Sequence, residues 1–417
     1  TVQSLQSAEL SKEMKRITYI GQWFSDWYSI FVNELRLIFS DSGALIIFFL
    51  AGLAYPVIYN LIYMNGTVDD MPIAVVDKAS CAESREFTRK LDATREVRVA
   101  YRCTDMGEAE KLLQERKVNG IVMFPEDFGE RLAAMEQAAV STYADMSSFL
   151  YYKNLLMAAN HVMLDQMHEI QTGRYASAGF TGQEISQMVH PIRYKENIPY
   201  NRAFSYGIFF LSAALMIVIQ QTMFYGSSLL AGTMREENRS FAVMPDKLKG
   251  RGISRTVLGR GAAYWLIYMA IGAYIAALVP RIFGLPQNGR FGDIFILLVF
   301  YVSACVLFSF TFSTLIRRRE TVFVLFLFMS PVCLFLTGFS WPTESFPMFW
   351  KLFSYIFPST FAAQAFIDMN TAGADLPMVR DQIMALTIQI VVYYLLSCLA
   401  VYIENRMLRR RAYIAQS

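Results

Sequence analysis

Hydrophobic residues along the chain are gathered into six blocks, each about as long as a helix that crosses a membrane. An α-helix rises about 1.5 Å per residue, so roughly 20 apolar residues span a hydrocarbon core about 30 Å thick. The composition agrees, since 54% of the residues are hydrophobic and only 18% are charged. We therefore predict six membrane spans, at Ala44–Tyr63, Phe204–Ala231, Ala262–Val279, Ile294–Ile316, Thr321–Ser340 and Ile383–Ile403.

Lysine and arginine residues are concentrated in alternate connections between these blocks. They precede the first block, occupy the connection from the second to the third and the turn from the fourth to the fifth, and follow the sixth. Connections rich in these residues stay on the cytoplasmic side of a membrane. We predict that both termini are cytoplasmic and that the segment between the first two blocks lies outside. Residues that carry the bias include Lys12, Lys15, Arg16, Arg36, Arg235, Arg239, Arg251, Arg255, Arg260, Arg317, Arg318, Arg319, Arg406 and Arg409.

The residues before the first block are polar and then amphipathic, and we recognise no cleavable signal peptide among them. Apolar residues recur at helical spacing between Gln22 and Phe39. We predict an amphipathic helix that lies in the inner interface of the membrane. A helix packed on protein would show the same pattern and is the alternative. The apolar residues are Trp23, Trp27, Ile30, Phe31 and Leu35, opposite Asp26, Asn33 and Arg36.

The segment between the first two blocks has the pattern of a soluble α/β domain. Short β-rich runs alternate with helical segments, one of which begins at a Ser80-x-x-Glu83 capping box. Strands that are separated by helices pair in parallel. The predicted strands are Met71–Lys78, Val97–Tyr101, Gly120–Phe124 and Val140–Ala144, and a long helix covers Phe149–Gln171.

Two of the five cysteines, Cys81 and Cys103, fall in this domain. Each follows the end of a predicted strand, so parallel neighbouring strands would place both thiols at one edge of the sheet. A location outside the cytoplasm favours a disulfide. The bridge would close a loop of about 20 residues and stabilise the domain by roughly 3 kcal/mol. We predict a Cys81–Cys103 disulfide, with two unpaired thiols as the alternative.

All three histidines also lie in this segment. His161, Asp165 and His168 share one face of the long helix, and His190 follows it. This spacing suits a divalent metal ion. A polar face on an external helix has the same pattern, however, and the sequence specifies no fourth ligand. We predict no metal site.

Motifs of catalysis are missing from the sequence. There is no Gly-x-x-x-x-Gly-Lys-Ser/Thr loop to hold phosphate groups. There is also no Gly-x-Ser-x-Gly elbow, zincin helix or evident pair of catalytic carboxylates. The basic connection lacks interleaved aromatic residues, so topology explains it better than nucleic-acid binding. We therefore expect no enzyme activity, no cofactor in this chain and no nucleic-acid partner.

No ionisable residue lies well inside a predicted block. Carriers driven by protons usually need such a residue at depth. We therefore expect the energy for any transport to come from another chain. Polar residues within the blocks form either helix-to-helix hydrogen bonds or contacts along a transport pathway. They include Asn60, Gln220, Gln221, Thr222 and Gln389.

A series of short segments resembles the permease subunits of ABC-2 type exporters, and in particular the subgroup with a large extracytoplasmic domain after the first span. The resemblance lies in the order and spacing of these segments and covers nearly the whole chain. They are Asn33-Glu34-Leu35-Arg36 followed by Asp41 and Pro56, Pro72–Asp77, Gly120–Pro125, Tyr200-Asn201, Arg235-Glu236-Glu237 with Pro245, and Thr337–Pro342 with Pro347 and Pro358.

The resemblance implies an α-helical membrane protein with six transmembrane helices and an inserted extracytoplasmic α/β domain. Residues 1–43 would form the cytoplasmic N-terminus and an amphipathic elbow helix, which includes Trp27, Glu34 and Arg36. Residues 44–64 would form the first transmembrane helix and residues 65–202 the external domain. Residues 203–417 would supply five further helices, with a cytoplasmic coupling loop at 232–260 and a re-entrant segment at 341–366.

The resemblance further implies that the coupling loop contacts an ATPase, with a solvated loop as the alternative. The charged residues at its start, Arg235, Glu236 and Glu237, would meet water, and its apolar side chains would enter a groove on that partner. A transport pathway would draw on Asn60, Gln220, Gln221 and Gln389. The candidates for the ATPase contact are Arg235, Glu236, Glu237, Phe241, Val243, Met244 and Pro245.

The implied function is that of a permease subunit that moves a substrate out across a bacterial inner membrane. Separate cytoplasmic ABC ATPase subunits would bind ATP and Mg²⁺ and supply the energy. Other implied partners are membrane lipids, a second permease in a homodimer or a paralogous heterodimer, and a periplasmic adaptor with an outer-membrane channel. The alternative is a non-transporting membrane scaffold whose external domain docks periplasmic partners.

Overall fold

The computed structural model of the protein describes residues 2–64, 67–189, 200–201, 205–237, 248 and 252–416, with most side chains described between residues 21 and 407. The chain forms two compact units. One consists of residues 1–64 and 199–417 and is a bundle of long helices. The other consists of residues 65–198 and is an α/β domain.

Among the described residues, six helices are long and apolar enough to cross a membrane, which confirms the predicted number. Some extend beyond the predicted apolar blocks, because a helix continues through residues that lie outside a hydrocarbon core. Span 3 begins at Ile253 rather than Ala262 and therefore includes Arg255 and Arg260. The spans are span 1 (Ser42–Ile62), span 2 (Phe210–Glu236), span 3 (Ile253–Phe283), span 4 (Phe291–Ser313), span 5 (Arg319–Leu336) and span 6 (Leu376–Met407).

Contacts between the span termini bring several arginines together at one end of the bundle. Arg235, at the end of span 2, contacts Ser313 at the end of span 4 and Glu404 near the end of span 6. The backbone N–H of Arg319, at the start of span 5, donates to Glu236. This end of the bundle is named the arginine-rich end below.

Span 2 is the central helix of the bundle. In its most apolar stretch 94% of the residues are buried, compared with 22% in span 1, 18% in span 5 and 22% in span 6. Span 2 packs against spans 1, 4 and 5. Two spans are widened by a π-helical turn, at Ile46–Ala51 in span 1 and Tyr274–Leu278 in span 3. Because span 2 is enclosed, any movement of it must involve its neighbours.

The N-terminal helix, α1 (Val2–Ser40), packs on span 3. A stripe of residues spaced four apart along α1 is buried, and it consists of Asp26, Ile30, Glu34 and Ile38. The sequence prediction placed Asp26 on the polar, solvated face, and this is wrong because its carboxylate is paired inside the protein. Along this stripe α1 packs on protein, the alternative to a helix lying only in the membrane interface.

The α/β domain is built on a four-stranded sheet with the order β2-β1-β3-β4. As predicted, β1 pairs in parallel with β2 and β3. β4 pairs antiparallel with β3, unlike the parallel arrangement that alternation predicts. The strands are β1 (Met71–Asp77), β2 (Val97–Cys103), β3 (Gly120–Phe124) and β4 (Ser141–Ala144). The helices are α2 (Ala82–Asp92), α3 (Met106–Gln114), α4 (Phe128–Ala133), α5 (Phe149–Ser177) and α6 (Gly182–Val189).

The capping box at the start of α2 is displaced by one residue. Cys81, not Ser80, is the N-cap, and its Sγ accepts the backbone N–H of Ser84 at 3.3 Å. Ser80 has a positive φ of 49° and its own N–H donates to Asp77 at 2.9 Å. The turn that follows β1 therefore uses Ser80, and the helix begins one position later.

Two short helices connect spans 5 and 6, within the predicted re-entrant segment. They are α7 (Met348–Ser354) and α8 (Pro358–Phe366). Pro358 occupies the first turn of α8, where its missing N–H costs no hydrogen bond. Most of α8 is buried, and it packs against spans 2, 4 and 6. A π-helical turn at Ile367–Thr371 and a 3₁₀ turn at Leu376–Val379 lead into span 6, whose helix runs on from Arg380 to Gln416.

Candidate functional site

The arginine-rich end contains a carboxylate that is fully removed from solvent. Glu34 of α1 has an exposed fraction of 0%. Arg260 of span 3 donates to both of its oxygens, from Nε to Oε2 and from Nη2 to Oε1, each at 3.0 Å. The hydroxyl of Tyr264, one turn further along span 3, donates to Oε1 at 2.8 Å. These three hydrogen bonds replace the water that a buried carboxylate loses.

A second ion pair joins the same two helices. Arg255 donates from Nη1 to Oδ2 of the buried Asp26 at 2.8 Å. Both acidic residues lie on α1 and both arginines on span 3. The order of the pairs is the same along each helix, so α1 and span 3 run in the same direction through this contact. Breaking a buried ion pair by removing one partner costs about 3–5 kcal/mol, so the two pairs fix the register of α1 on span 3.

Between the ion pairs the two helices come unusually close. A Cβ atom at Gly259 would lie 2.9 Å from Cγ2 of Ile30 and 3.1 Å from the carbonyl oxygen of Trp27. No side chain fits at that distance without moving α1. Gly259 is therefore the residue that lets α1 reach Arg255 and Arg260.

Arg235 holds the ends of three spans together. Its Nε donates to Oε1 of Glu404 in span 6 at 2.9 Å, and its Nη1 donates to the carbonyl oxygen of Ser313 at 2.8 Å. Nη1 also donates to the carbonyl oxygen of Ile316, just beyond span 4. The carbonyl of Ser313 also accepts the backbone N–H of Ile316 at 3.2 Å, so the guanidinium binds the turn that ends span 4 and joins it to span 6.

A small cavity separates the two charge clusters. Its volume is about 30 Å³, enough for a water molecule. Arg235, Arg260 and Glu404 all line it, together with residues of spans 2, 3, 4 and 6. The pair that anchors α1 and the pair that joins spans 2 and 6 therefore border the same polar space.

The structure places the predicted contact residues in two environments. Arg235 is only 18% exposed at its side chain, so it is part of the bundle rather than a water-exposed contact residue as predicted. Glu236 and Glu237 are exposed, as predicted, and an oxygen of Glu236 accepts the N–H of Arg319 at 3.0 Å. The remaining residues of this prediction, Phe241, Val243, Met244 and Pro245, lie outside the described residues.

The three predicted elbow residues also differ from one another. Glu34 is the buried anchor described above, whereas Arg36 is exposed. Trp27 is half-buried and stacks on Phe31, with ring centroids 5.7 Å apart. The sequence prediction missed Asp26, Arg255, Arg260, Tyr264 and Glu404 as site residues. For Asp26, Arg255 and Arg260 a signal was present in two acidic residues two turns apart on α1 and two arginines at the start of span 3, whereas Tyr264 and Glu404 had none.

A second polar cluster surrounds the break between α7 and α8. Gln220 of span 2 is buried, and its Oε1 accepts the backbone N–H of Ser359 at 2.7 Å. Gln389 of span 6 donates from Nε2 to the carbonyl oxygen of Tyr355 at 2.8 Å. One glutamine therefore satisfies the start of α8, and the other satisfies the end of α7. Both predicted pathway residues hold the helix pair in place in this structure.

The other two predicted pathway residues are also buried. Asn60 donates from Nδ2 to the carbonyl oxygen of Pro56, one turn earlier in span 1, at 2.7 Å. Gln221 lies next to Gln220 on the enclosed span 2. The four residues therefore do not form one cluster, since only Gln220 and Gln389 share the α7–α8 pair.

The predicted disulfide is not formed, since Cys81 and Cys103 both carry free thiols. Cys103 pairs in register with Val76 and packs with Val76 and Ile121 in one hydrophobic cluster. Cys81 packs in the other cluster of the domain, which contains Phe124. Because neighbouring residues of a strand point to opposite faces of a sheet, the two clusters lie on opposite sides. The sequence prediction located the edge correctly but not the face.

No group of three or more histidine, cysteine, aspartate or glutamate residues within the described part of the chain has the arrangement of a metal site. Of the residues considered as ligands, Asp165 accepts from Nζ of Lys90 at 3.1 Å, and the neighbouring Glu169 accepts from the same nitrogen at 2.7 Å. These carboxylates join α5 to α2 through an ion pair. His190 lies outside the described residues.

Residues 43–399 match the family described as ABC-2 family transporter protein. The match covers most of the chain, including all of spans 2 to 5 and the α/β domain. The protein belongs to the ABC-2 transporter family. No curated protein matches the chain. Membership in this family supports the role of a membrane permease, normally a subunit without catalytic activity, and it implies an ABC ATPase partner.

Proposed function

We propose that this ABC-2 protein is the permease subunit of an exporter that moves a substrate out across a bacterial inner membrane. A separate ABC ATPase subunit binds ATP and Mg²⁺ and supplies the energy, and this chain holds no cofactor. The observation that carries the proposal is the pair of charge clusters at the arginine-rich end. They anchor α1 to span 3 and tie span 2 to spans 4 and 6.

In this proposal the arginine-rich end faces the cytoplasm, and both termini lie there. The basis is the asymmetry of lysine and arginine between alternate connections. Residues 65–198 then lie on the opposite, periplasmic side. The ATPase subunit meets the cytoplasmic end, where Glu236 and Glu237 are exposed and the apolar residues Phe241, Val243 and Met244 follow in sequence.

In the proposed mechanism, movement passes between helices that are joined by ion pairs and hydrogen bonds at the arginine-rich end. When ATP draws the ATPase subunits together, they displace α1 and the segment after span 2. The displacement of α1 moves Arg260 through Glu34, and that of span 2 moves Arg235, so both charges around the shared cavity shift. A partner can shift an equilibrium only by interacting differently with its two states. We propose that the ion pairs of Arg235 and Arg260 are arranged differently in the two states of the permease.

Gln220 would carry the movement of span 2 to α8. Its hydrogen bond to Ser359 is buried, so the two elements have to move together or lose that bond. Access through the bundle would then change on the side where α7 and α8 lie. The proposed further partners are a second permease, membrane lipids, and a periplasmic adaptor with an outer-membrane channel.

The proposal is tested by separating ATPase binding from the transmission of movement. The permease is co-expressed with its ATPase, purified, and returned to lipid nanodiscs for measurement of ATP hydrolysis. Phe241→Ala with Met244→Ala should abolish co-purification of the ATPase, because a few desolvated apolar anchors carry most of the energy of such contacts. Arg235→Gln should leave co-purification intact and remove the stimulation of ATP hydrolysis by the permease.

Glu320→Gln serves as the matched control, since Glu320 is an exposed charge at the same end. It should change neither binding nor hydrolysis. Normal membrane insertion of every variant is checked by protease protection. If the Phe241 and Met244 variant and Arg235→Gln both behave like the unsubstituted protein, the arginine-rich end does not couple to an ATPase. The scaffold alternative would then account for the chain better.

A further inference from the structure

The α/β domain has a groove between the long helix α5 and the segment that joins α2 to β2. The volume of the groove is about 460 Å³. Small-molecule sites in proteins have volumes of roughly 300–1,000 Å³. Ala158 and Val162 line it on the α5 side and are 2% and 3% exposed, so its floor belongs to the core of the domain. The ionisable residues that line it are Lys90, Arg95, Glu96, His161 and Asp165.

The two basic side chains of the groove, Lys90 and Arg95, are already paired with carboxylates. Nζ of Lys90 lies 3.1 Å from Oδ2 of Asp165 and 2.7 Å from Oε2 of Glu169. One ammonium group therefore faces two carboxylates, and this cluster keeps one net negative charge. Nε of Arg95 lies 3.0 Å from Oδ2 of Asp69, so that pair carries no net charge. Neither cation is left free for an acidic ligand.

Glu96 supplies a second negative charge without a counter-charge. It is half-buried, and within the described part of the chain its carboxylate forms no ion pair. The helix α2 also ends at the groove, since its C-cap residue, Ala93, is part of the lining. The C-terminal end of a helix has a partial negative charge. When His161 is neutral, the groove is therefore acidic above an apolar floor.

We propose that this groove binds a small organic cation with an apolar body, such as a quaternary amine within aromatic rings. The apolar body lies on Ala158, Val162 and the flexible thioether of Met157, which also lines the groove. The positive charge lies on the side of Glu96 and Asp165, where it neutralises the excess of carboxylates. The site goes beyond the proposed function, because it lies in the α/β domain and does not depend on the ATPase.

Fluorescence titration with berberine, an aromatic quaternary cation, tests the site on the full-length permease. The protein is held in nanodiscs of phosphatidylcholine, and the signal of empty nanodiscs is subtracted. We expect saturable binding that weakens as salt is added, because the carboxylates are partly exposed and are screened. The anionic dye 1-anilinonaphthalene-8-sulfonate, of similar size, should not displace berberine.

Substitutions at Glu96 and Lys90 should change the affinity in opposite directions. Glu96→Gln should weaken berberine binding about three-fold, because it removes one attracting charge. Lys90→Gln should tighten binding by about the same factor, because it removes the ammonium and leaves both carboxylates. A site for an anion would show the reverse result at Lys90. Glu110→Gln is the matched control, since Glu110 is an exposed carboxylate on α3, which packs on the other side of the sheet.

The inference is overturned if berberine shows no saturable binding, or if the Glu96 and Lys90 variants bind it as the unsubstituted protein does. The second result would place the bound dye elsewhere, for example in the helix bundle. Weaker binding by Lys90→Gln would also overturn it. Thermal unfolding checks that each variant is folded, and Glu96→Gln decides the matter alone if Lys90→Gln is not. Co-purification of the ATPase is measured on the same samples, so the proposed function stands or fails separately.

Discussion

Glu34 on α1 and Arg260 on span 3 form a two-pronged ion pair in which the carboxylate has no access to solvent. The two residues are 226 positions apart in sequence. A helix that comes before the first span is thereby fastened to the third span rather than to its neighbour in the chain. This pair is the most direct evidence that α1 is part of the bundle.

We expect Glu34→Gln to destabilise the protein by about 3–5 kcal/mol, because it leaves the Arg260 charge without its partner. The double variant Glu34→Gln with Arg260→Gln should lose less than the sum of the single variants. Unfolding in detergent, followed by circular dichroism, measures both effects. Arg36→Gln is the control on the same helix, since Arg36 is exposed. Equal losses of stability for Arg36→Gln and Glu34→Gln would show that the ion pair contributes no more to stability than an exposed residue does.

Gly259→Ala should weaken the coupling between the permease and ATP hydrolysis by its partner, without removing any charge. Its new Cβ would meet Ile30 at 2.9 Å and the backbone of Trp27 at 3.1 Å, so α1 must move away from span 3. Gly261→Ala is a matched control two residues along the same helix, where the nearest atom would be 3.4 Å away on Val306. ATP hydrolysis by the assembled complex should fall for the first variant only. The same rate for both alanine variants would mean that the closeness of α1 does not matter for coupling.

Gln220→Leu should affect transport more than assembly. The substitution removes the acceptor for the N–H of Ser359 at the start of α8, and loss of a cap of this kind costs about 0.5–2 kcal/mol. The arginine-rich end keeps all of its contacts, so co-purification of the ATPase should not change. Transport-linked resistance of cells, together with co-purification, checks both parts. Gln389→Leu, at the other end of the break, should behave in the same way.

Cys81 and Cys103 should be recovered as free thiols from protein purified without reductant. They belong to clusters on opposite faces of the sheet, and a bridge would require the backbone to rearrange. Burial raises the pKa of the Cys103 thiol, and the nearby Glu108 and Asp105 raise it further. Cys103 should therefore react slowly with alkylating reagents near neutral pH, since the thiolate is the reactive form. Peptide mapping that finds the linked pair would contradict the structure.

The proposed topology predicts that single cysteines at Ser147 and Glu320 label from opposite sides of the membrane. Ser147 lies in the α/β domain and Glu320 at the start of span 5. An impermeant thiol reagent added to intact spheroplasts should modify Ser147→Cys but not Glu320→Cys. Permeabilised cells, in which both should react, provide the control. Labelling of both in intact spheroplasts would remove the basis for placing the ATPase at the arginine-rich end.

The sequence predicts the number of spans and most of the domain because both depend on local pattern. Apolar blocks of membrane length and β-rich runs bounded by capping residues are visible without any knowledge of partners. The antiparallel β4 was missed, since alternation of strands and helices does not record the direction in which the last strand pairs. The Cys81–Cys103 prediction failed for a related reason. It correctly used the parallel pairing of β1 and β2 but had no information on the side of the sheet that each residue occupies.

The candidate site was predicted in part. Glu34 and Arg235 were selected through a family resemblance, whereas their partners Arg260 and Glu404 are distant in sequence, and no local pattern pairs them with Glu34 and Arg235. Asp26 was assigned to the polar face of an amphipathic helix, because an aspartate on a half-apolar helix is usually solvated. Burial reverses that expectation here, since Arg255 supplies the counter-charge. Pairing across the bundle is a tertiary property, and periodicity along one helix does not contain it.

The separation of Glu34 from Arg260 also bears on biosynthesis. A ribosome that adds about 5–20 residues per second needs roughly 10 to 45 s to pass from one residue to the other. During that time spans 1 and 2 and the α/β domain between them are made, while Arg260, the partner of Glu34 in the folded protein, does not yet exist. The helix α1 therefore cannot reach its final position until span 3, which carries Arg260, has been made.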